Sequence, residues 1–166
     1  MAADVRTLAE TGPLDYPFAC QFRVRYSEID GQSIVFNAHY LTYYDTALGE
    51  FFRHVGIVYG QAQDADGGVD FHTVRNLIDY HAPVRLDELI TVHVRVGRMG
   101  RSSISFDVAL FAEGEDRPRN SGEVVWVCAG IGDHRSRPIP EHLRTRLEAS
   151  EGGPRVVIDP VSRLPR

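Results

Sequence analysis

The chain has 166 residues, about one domain's worth of polypeptide, and its 43% hydrophobic and 25% charged content is that of an ordinary globular protein. Eighteen basic residues against 23 acidic ones give a net charge of −5, which excludes a general nucleic-acid or membrane-surface binder, because such proteins carry an excess of Lys and Arg. All 18 basic residues are Arg. The absence of Lys removes Schiff-base chemistry, pyridoxal phosphate attachment and the Walker-A phosphate loop, each of which needs an amine at a defined place.

Residues 1–15 read as a flexible N-terminal arm, punctuated by Gly12 and Pro13 and without the apolar run of a signal peptide. From Phe18 the pattern alternates strictly: Phe18, Cys20, Phe22, Val24 and Tyr26 on one face, Gln21, Arg23 and Arg25 on the other. That is the period of a half-buried strand. A polar segment, Ser27 to Gln32, interrupts it. The period then becomes helical, with Leu41, Tyr44, Leu48, Phe51, Phe52 and Val55 forming one stripe of a helix over about 38–55. Asn37 is the expected N-cap and Gly56 the expected stop. Gly49, inside the helix, implies close packing against it. After a Gly- and Asp-rich loop (Gly60 to Gly68), strands are predicted at Val74–His81, Leu89–Val96, Ser103–Ala112 and Glu123–Ile131, the last buried on both faces. A short helix follows at Pro140–Ala149. The prolines of residues 150–166 predict a poorly ordered tail.

The order strand, long helix, four strands, short helix describes one α+β domain over 16–149, a five-stranded antiparallel sheet with one long helix. The open sheet edge left by this arrangement predicts a homodimer or homotetramer. Cys20 and Cys128 match neither CxxC nor zinc spacing and read as two buried thiols of a reducing, cytoplasmic compartment. The longest apolar stretch, Val124 to Gly132, is far shorter than the ~20 residues a membrane span requires. GxSxG, HExxH and the P-loop are absent, and Gly130-Ile131-Gly132 lacks the third glycine of a dinucleotide fingerprint. His72, His81, His93 and His134 show no metal-ligand spacing, so no metal is expected.

The loop between the first strand and the helix carries the chemistry. Asp30 lies seven residues before Asn37, which sets a carboxylate near a helix start, where free N–H groups carry about half a positive charge. A carboxylate beside such an end is a minimal kit for acyl transfer: the N–H polarises a carbonyl oxygen while the carboxylate attacks the carbon or activates a water.

The run Arg25 to Leu41 (RYSEIDGQSIVFNAHYL) resembles the opening motif of the 4-hydroxybenzoyl-CoA thioesterase-like branch of the hotdog-fold acyl-CoA thioesterase superfamily. The resemblance continues through Ile78 to Leu89 (IDYHAPVRLDEL), Val96 to Ser103 (VGRMGRSS) and Pro138-Ile139-Pro140, and covers about residues 16–147. It implies a sheet wrapped around a central helix and hydrolysis of an acyl thioester to a carboxylic acid and coenzyme A, with coenzyme A as part of the substrate and no other cofactor.

Residue by residue, the resemblance places Asp30 at the catalytic aspartate, as nucleophile or general base, and Asn37 at the helix start whose N–H polarises the carbonyl. Arg101, Ser102 and Ser103 fall where the family holds the phosphates and pantetheine of coenzyme A, a task suited to Arg's forked donors, with Arg98 as a further member of the patch. Many relatives have His at the position of Asn37 and Asn at that of His39; the order here is closer to the long-chain acyl-CoA members. His39 and Tyr26 are further candidates for substrate contact, although the alternation turns Tyr26 inward with its strand. Glu28 flanks the same loop. Tyr40, Tyr43 and Tyr44 read as core and dimer packing. A thioesterase acting on an acylated carrier protein, a non-catalytic thioester binder and an enoyl-thioester hydratase are the alternatives.

Overall fold

A computed structural model describes residues 8–58, 62–64 and 67–159; the parts of the expected arm, Gly-rich loop and tail at 1–7, 59–61, 65–66 and 160–166 lie outside the described residues. In chain order the strands are β1 (Phe18–Arg23), β2 (Ala62–Asp64), β3 (Gly67–Tyr80), β4 (Leu89–Met99), β5 (Ser103–Ala112), β6 (Asn120–Gly130) and β7 (Val156–Ile158). The helices are α1 (Asn37–His54), after β1, and α2 (Glu141–Ser150), after β6.

The strands form one sheet in the order β2-β3-β6-β5-β4-β1-β7. Its centre is the expected five-stranded antiparallel unit, β3-β6-β5-β4-β1. Two short strands extend it beyond the expectation. β2 pairs with the start of β3, and β7 pairs parallel to β1. The tail is therefore structured at 156–158, where the β-branched run Val156-Val157-Ile158 satisfies the otherwise open edge of β1; Val156 donates its N–H to the Pro17 carbonyl at 2.8 Å.

One face of the sheet wraps α1. Tyr44, Ala47, Leu48, Phe51 and Phe52 are buried against Val92, Val94, Ile104, Phe106, Val108 and Trp126. The Phe52 ring meets Trp126 edge-on at 5.1 Å between centroids and Phe106 at 6.0 Å, within the range that adds to simple area burial. Leu41, expected in the buried stripe, is 36% exposed, and Tyr40 and Tyr43 take its place. The helix ends as predicted at Gly56, whose φ of +75° suits glycine. Gly56 N–H bonds the Arg53 carbonyl and Ile57 N–H the Phe52 carbonyl, the paired bonds of a Schellman motif.

The opposite face is covered by part of the segment read as a loose arm. Tyr16 is buried there, edge-on against His93 and Phe111, and Leu8 in the same segment is also buried. Phe111 and Ala109 alternate outward from β5 and need apolar cover, which explains why residues 8–16 are held. Cys20 and Cys128 are both buried thiols, and burial pushes the Cys20 thiol up to about 12.

Candidate active site

The loop carrying Asp30 is a closed hairpin. Phe36 donates its N–H to the Glu28 carbonyl at 2.9 Å, Asp30 donates to Ile34 at 2.9 Å, and Ile29 bridges Val35. Ser33, at φ +62°, makes the reversal and donates to the Asp30 carbonyl at 3.0 Å. Val35, 2% exposed, anchors the returning arm and donates to Val84 at 2.8 Å. The Asp30 side chain is thus aimed by backbone geometry. Its Oδ1 accepts the Gln32 N–H at 2.8 Å, while Oδ2 has no hydrogen-bond partner among the described residues.

The returning arm leads directly into α1. Phe36 is the N-cap and Asn37 the first helical residue, one position earlier than the sequence suggests. The hairpin decides this: the Phe36 N–H is committed to Glu28, which holds Phe36 extended (φ −62°, ψ 136°) at the point of entry. Phe36 offers no acceptor, and no side chain caps the helix. The first-turn N–H groups of Asn37 and Ala38 therefore keep their positive partial charge uncapped. His39 donates back to the Phe36 carbonyl at 2.9 Å.

Asp30 and Asn37 line one cleft of about 480 Å³, together with Phe36, Tyr40, Tyr80 and Pro83. Tyr80, at the end of β3, donates its hydroxyl to the Asn37 carbonyl at 3.1 Å and meets the Tyr40 ring edge-on at 5.2 Å. Burial raises the pKa of both phenols, so they are neutral donors at physiological pH. Tyr40 and Tyr80 are cleft residues the sequence reading did not assign; the only available signal was the resemblance of the Ile78 to Leu89 segment, which does not single them out. His81 also borders the cleft, but its Nε2 lies 2.7 Å from Ser121 Oγ.

The other expected contacts lie elsewhere. Tyr26 does not continue β1; it begins a 3-10 turn, Tyr26–Glu28, and is 83% exposed. The strand ends at Arg23 because Glu28 reaches back to the Arg25 N–H at 2.8 Å and closes that turn. His39 packs edge-on against Phe36 at 6.1 Å and does not line the cleft. Arg101, Ser102 and Ser103 occupy the β4–β5 connection, where the Ser102 carbonyl receives Cys128 N–H and the Arg101 carbonyl receives Ile139 N–H. Ser103 stands opposite Val127 on β6, whereas Tyr80 stands opposite Asn120. Seven residues of strand, roughly 23 Å, separate these two ends of the sheet within one chain. Among the described residues no cluster of His, Cys, Asp and Glu is placed to hold a metal, and no helix is long and apolar enough to cross a membrane.

A sheet wrapped around one long helix, with a hairpin feeding the helix N-terminus, defines a hotdog-fold protein. The sequence model of the thioesterase superfamily matches residues 32–118, and the chain belongs to that superfamily as a thioester hydrolase. It is 30% identical over 97 residues to a putative esterase of Aquifex aeolicus, covering 58% of this chain and 74% of that one. It is 26% identical over 126 residues to the acyl-CoA thioester hydrolase YbgC of Escherichia coli, covering 76% and 92%. Among solved structures, a thioesterase of Thermus thermophilus complexed with coenzyme A and zinc superposes with a TM-score of 0.69 at 30% identity over 84% of this chain and 98% of that one. A 1,4-dihydroxy-2-naphthoyl-CoA thioesterase of Synechocystis shares the fold, with a TM-score of 0.70 at 16% identity, over 78% and 94%.

Proposed function

We propose that the protein is an acyl-CoA thioesterase in which Asp30, acting as nucleophile or general base, and the uncapped N-terminus of α1 act on one thioester. The observation that carries this reading is that a half-free carboxylate and an uncapped helix start line the same cleft. The thioester carbonyl oxygen would accept from the first-turn N–H groups, which stabilise the negative charge developing on it. Asp30 Oδ2 either takes a proton from the attacking water or attacks the carbonyl carbon itself, forming an anhydride that water then opens. Either way the C–S bond breaks, the thiol leaves with a proton and the carboxylic acid is released. Water is the only co-reactant, and coenzyme A belongs to the substrate.

Arg101, Ser102 and Ser103 cannot meet Asp30 within one chain, so their proposed role as the coenzyme A grip requires a second copy. The free edge of β3, with Val74, Leu77 and Tyr80 at 59%, 38% and 50% exposure, supports a homodimer in which each cleft is completed by the partner. A cytoplasmic location suits the coenzyme A pool and two cysteines that form no disulfide. Release of free thiol from a panel of short, long, branched and aromatic acyl-CoAs tests the reading. Turnover of one class is expected; inertness toward every acyl-CoA, with release from an acylated carrier protein, would contradict it.

A further inference from the structure

Glu28 and Tyr43 lie outside the cleft, yet they join the two elements that form it. The Tyr43 hydroxyl, on the second turn of α1, donates to Glu28 Oε2 at 2.6 Å. The same oxygen accepts the Arg25 N–H at 2.8 Å. Tyr43 is 4% exposed and packs on Phe22 at 5.6 Å and on Tyr40 at 6.3 Å between ring centroids, so its hydroxyl has little freedom. Burial, then the bond to the neighbouring carboxylate, raises its pKa, which keeps it a donor at any physiological pH. On the hairpin side, Glu28 is two residues before Asp30, and its carbonyl is the atom that receives Phe36 N–H at the helix entrance.

We infer that Glu28 and Tyr43 are a positioning pair: their hydrogen bond fixes the Asp30 hairpin against α1 and so sets the separation between the Asp30 carboxylate and the helix N-terminus. The inference rests on the proposed role of Asp30. The physical argument is one of levers. The hairpin is closed on itself by backbone bonds, so it moves as a unit; the chain connects it to the helix at Phe36, and to β1 through Arg25. A unit held at those points and by the Val35 N–H bond to the Val84 carbonyl can still pivot about its returning arm. The Glu28–Tyr43 bond is the side-chain tie that crosses from the hairpin's outgoing arm to the helix body, 15 residues away in sequence. A charge-assisted bond to a buried donor is short and directional, which suits it to hold a distance. A tilt that moves the carboxylate by about 1 Å would cost up to roughly 100-fold in rate, with substrate binding little altered because neither residue lines the cleft.

The test is steady-state thiol release by native enzyme, Tyr43→Phe, Glu28→Gln, the double variant and Asp30→Asn, each with its melting temperature recorded. Tyr43→Phe keeps the ring packing and removes only the donor. Its expected effect is a kcat lowered about 10-fold or more, with KM within about twofold. Because the two residues act as one tie, the double variant is expected to match the worse single variant rather than multiply the losses. A Tyr43→Phe enzyme whose kcat stays within about twofold of native would overturn the inference, as would fully multiplicative losses. Should Tyr43→Phe fold poorly, Glu28→Gln, which keeps shape and a weaker acceptor, must show the same kcat-selective loss for the pair to stand. Retained turnover in Asp30→Asn would overturn the assignment of Asp30 and the positioning role with it. Loss in Asp30→Asn together with native-like Tyr43→Phe overturns the positioning role alone.

Discussion

The Tyr80 hydroxyl donates to the Asn37 carbonyl at 3.1 Å, joining the end of β3 to the first peptide of α1. That carbonyl shares its peptide unit with the Ala38 N–H, one of the uncapped donors at the start of α1. The bond therefore polarises a donor as well as anchoring it.

Tyr80→Phe removes this bond and keeps the ring on Tyr40. Because Tyr80 is half exposed, a stability loss of about 0.5–1 kcal/mol is expected, together with a fall in kcat of severalfold. Denaturant unfolding and thiol release measure the two effects separately.

Gly122 on β6 leaves no room for a side chain. A Cβ there would sit well inside contact distance of the Leu77 carbonyl oxygen and 3.2 Å from the Tyr44 ring. Since one neighbour is the backbone of the paired strand and the other a fully buried ring, neither can give way easily, and Gly122→Ala should cost about 3 kcal/mol, the upper end of overpacking penalties. A chemical denaturation midpoint within error of native would refute the packing argument.

How much of this was legible in the sequence follows from what decides each feature. β5 has its predicted bounds, Ser103–Ala112, and α1 differs from prediction by one residue at each end, because alternation and the 3.6-residue stripe reflect burial on a face and are local properties. Tyr26 and Asn37 were misplaced because the deciding contacts are tertiary or turn-specific. Glu28 folding back on Arg25 ends β1, and the Phe36 bond to Glu28 moves the cap. The strand at 156–158 depends on an edge of β1 that no local pattern announces. Asp30 was singled out by its spacing from the helix start and by its motif. Its cleft partners Tyr40 and Tyr80 come from different elements, and nothing in their spacing signals that they meet.

His93 gives a pH signature. It is 2% exposed on the outer face of β4, burial chiefly and the Arg155 charge secondarily lower its pKa from 6.5 to about 4, and a bond to the Pro13 backbone opposes them. Its Nδ1 has no hydrogen-bond partner among the described residues. The unfolded chain therefore binds more protons between those values, and stability is full above about pH 6.5 and falls as pH drops toward 4. The drop amounts to about 3 kcal/mol from this group. His93→Gln should flatten the slope in this window; an unchanged pH profile would assign the slope to other groups.

Arg101→Ala tests the proposed grip on coenzyme A. Losing a charge-assisted contact to phosphate should raise KM for acyl-CoA about 10-fold or more. KM for a short thioester of N-acetylcysteamine, which lacks the phosphates, should stay unchanged. Equal effects on both substrates would place Arg101 outside the phosphate contact.

In the proposed mechanism the Asp30 carboxylate performs the chemistry. The most direct measurement is kcat for thiol release by Asp30→Asn beside the native enzyme, on the acyl-CoA the native enzyme turns over best. Asn keeps the shape and the contact to Gln32 N–H while removing the charge. A loss of about 100-fold or more in kcat at unchanged fold and assembly is expected; equal turnover by the two proteins would rule out Asp30 as the catalytic carboxylate.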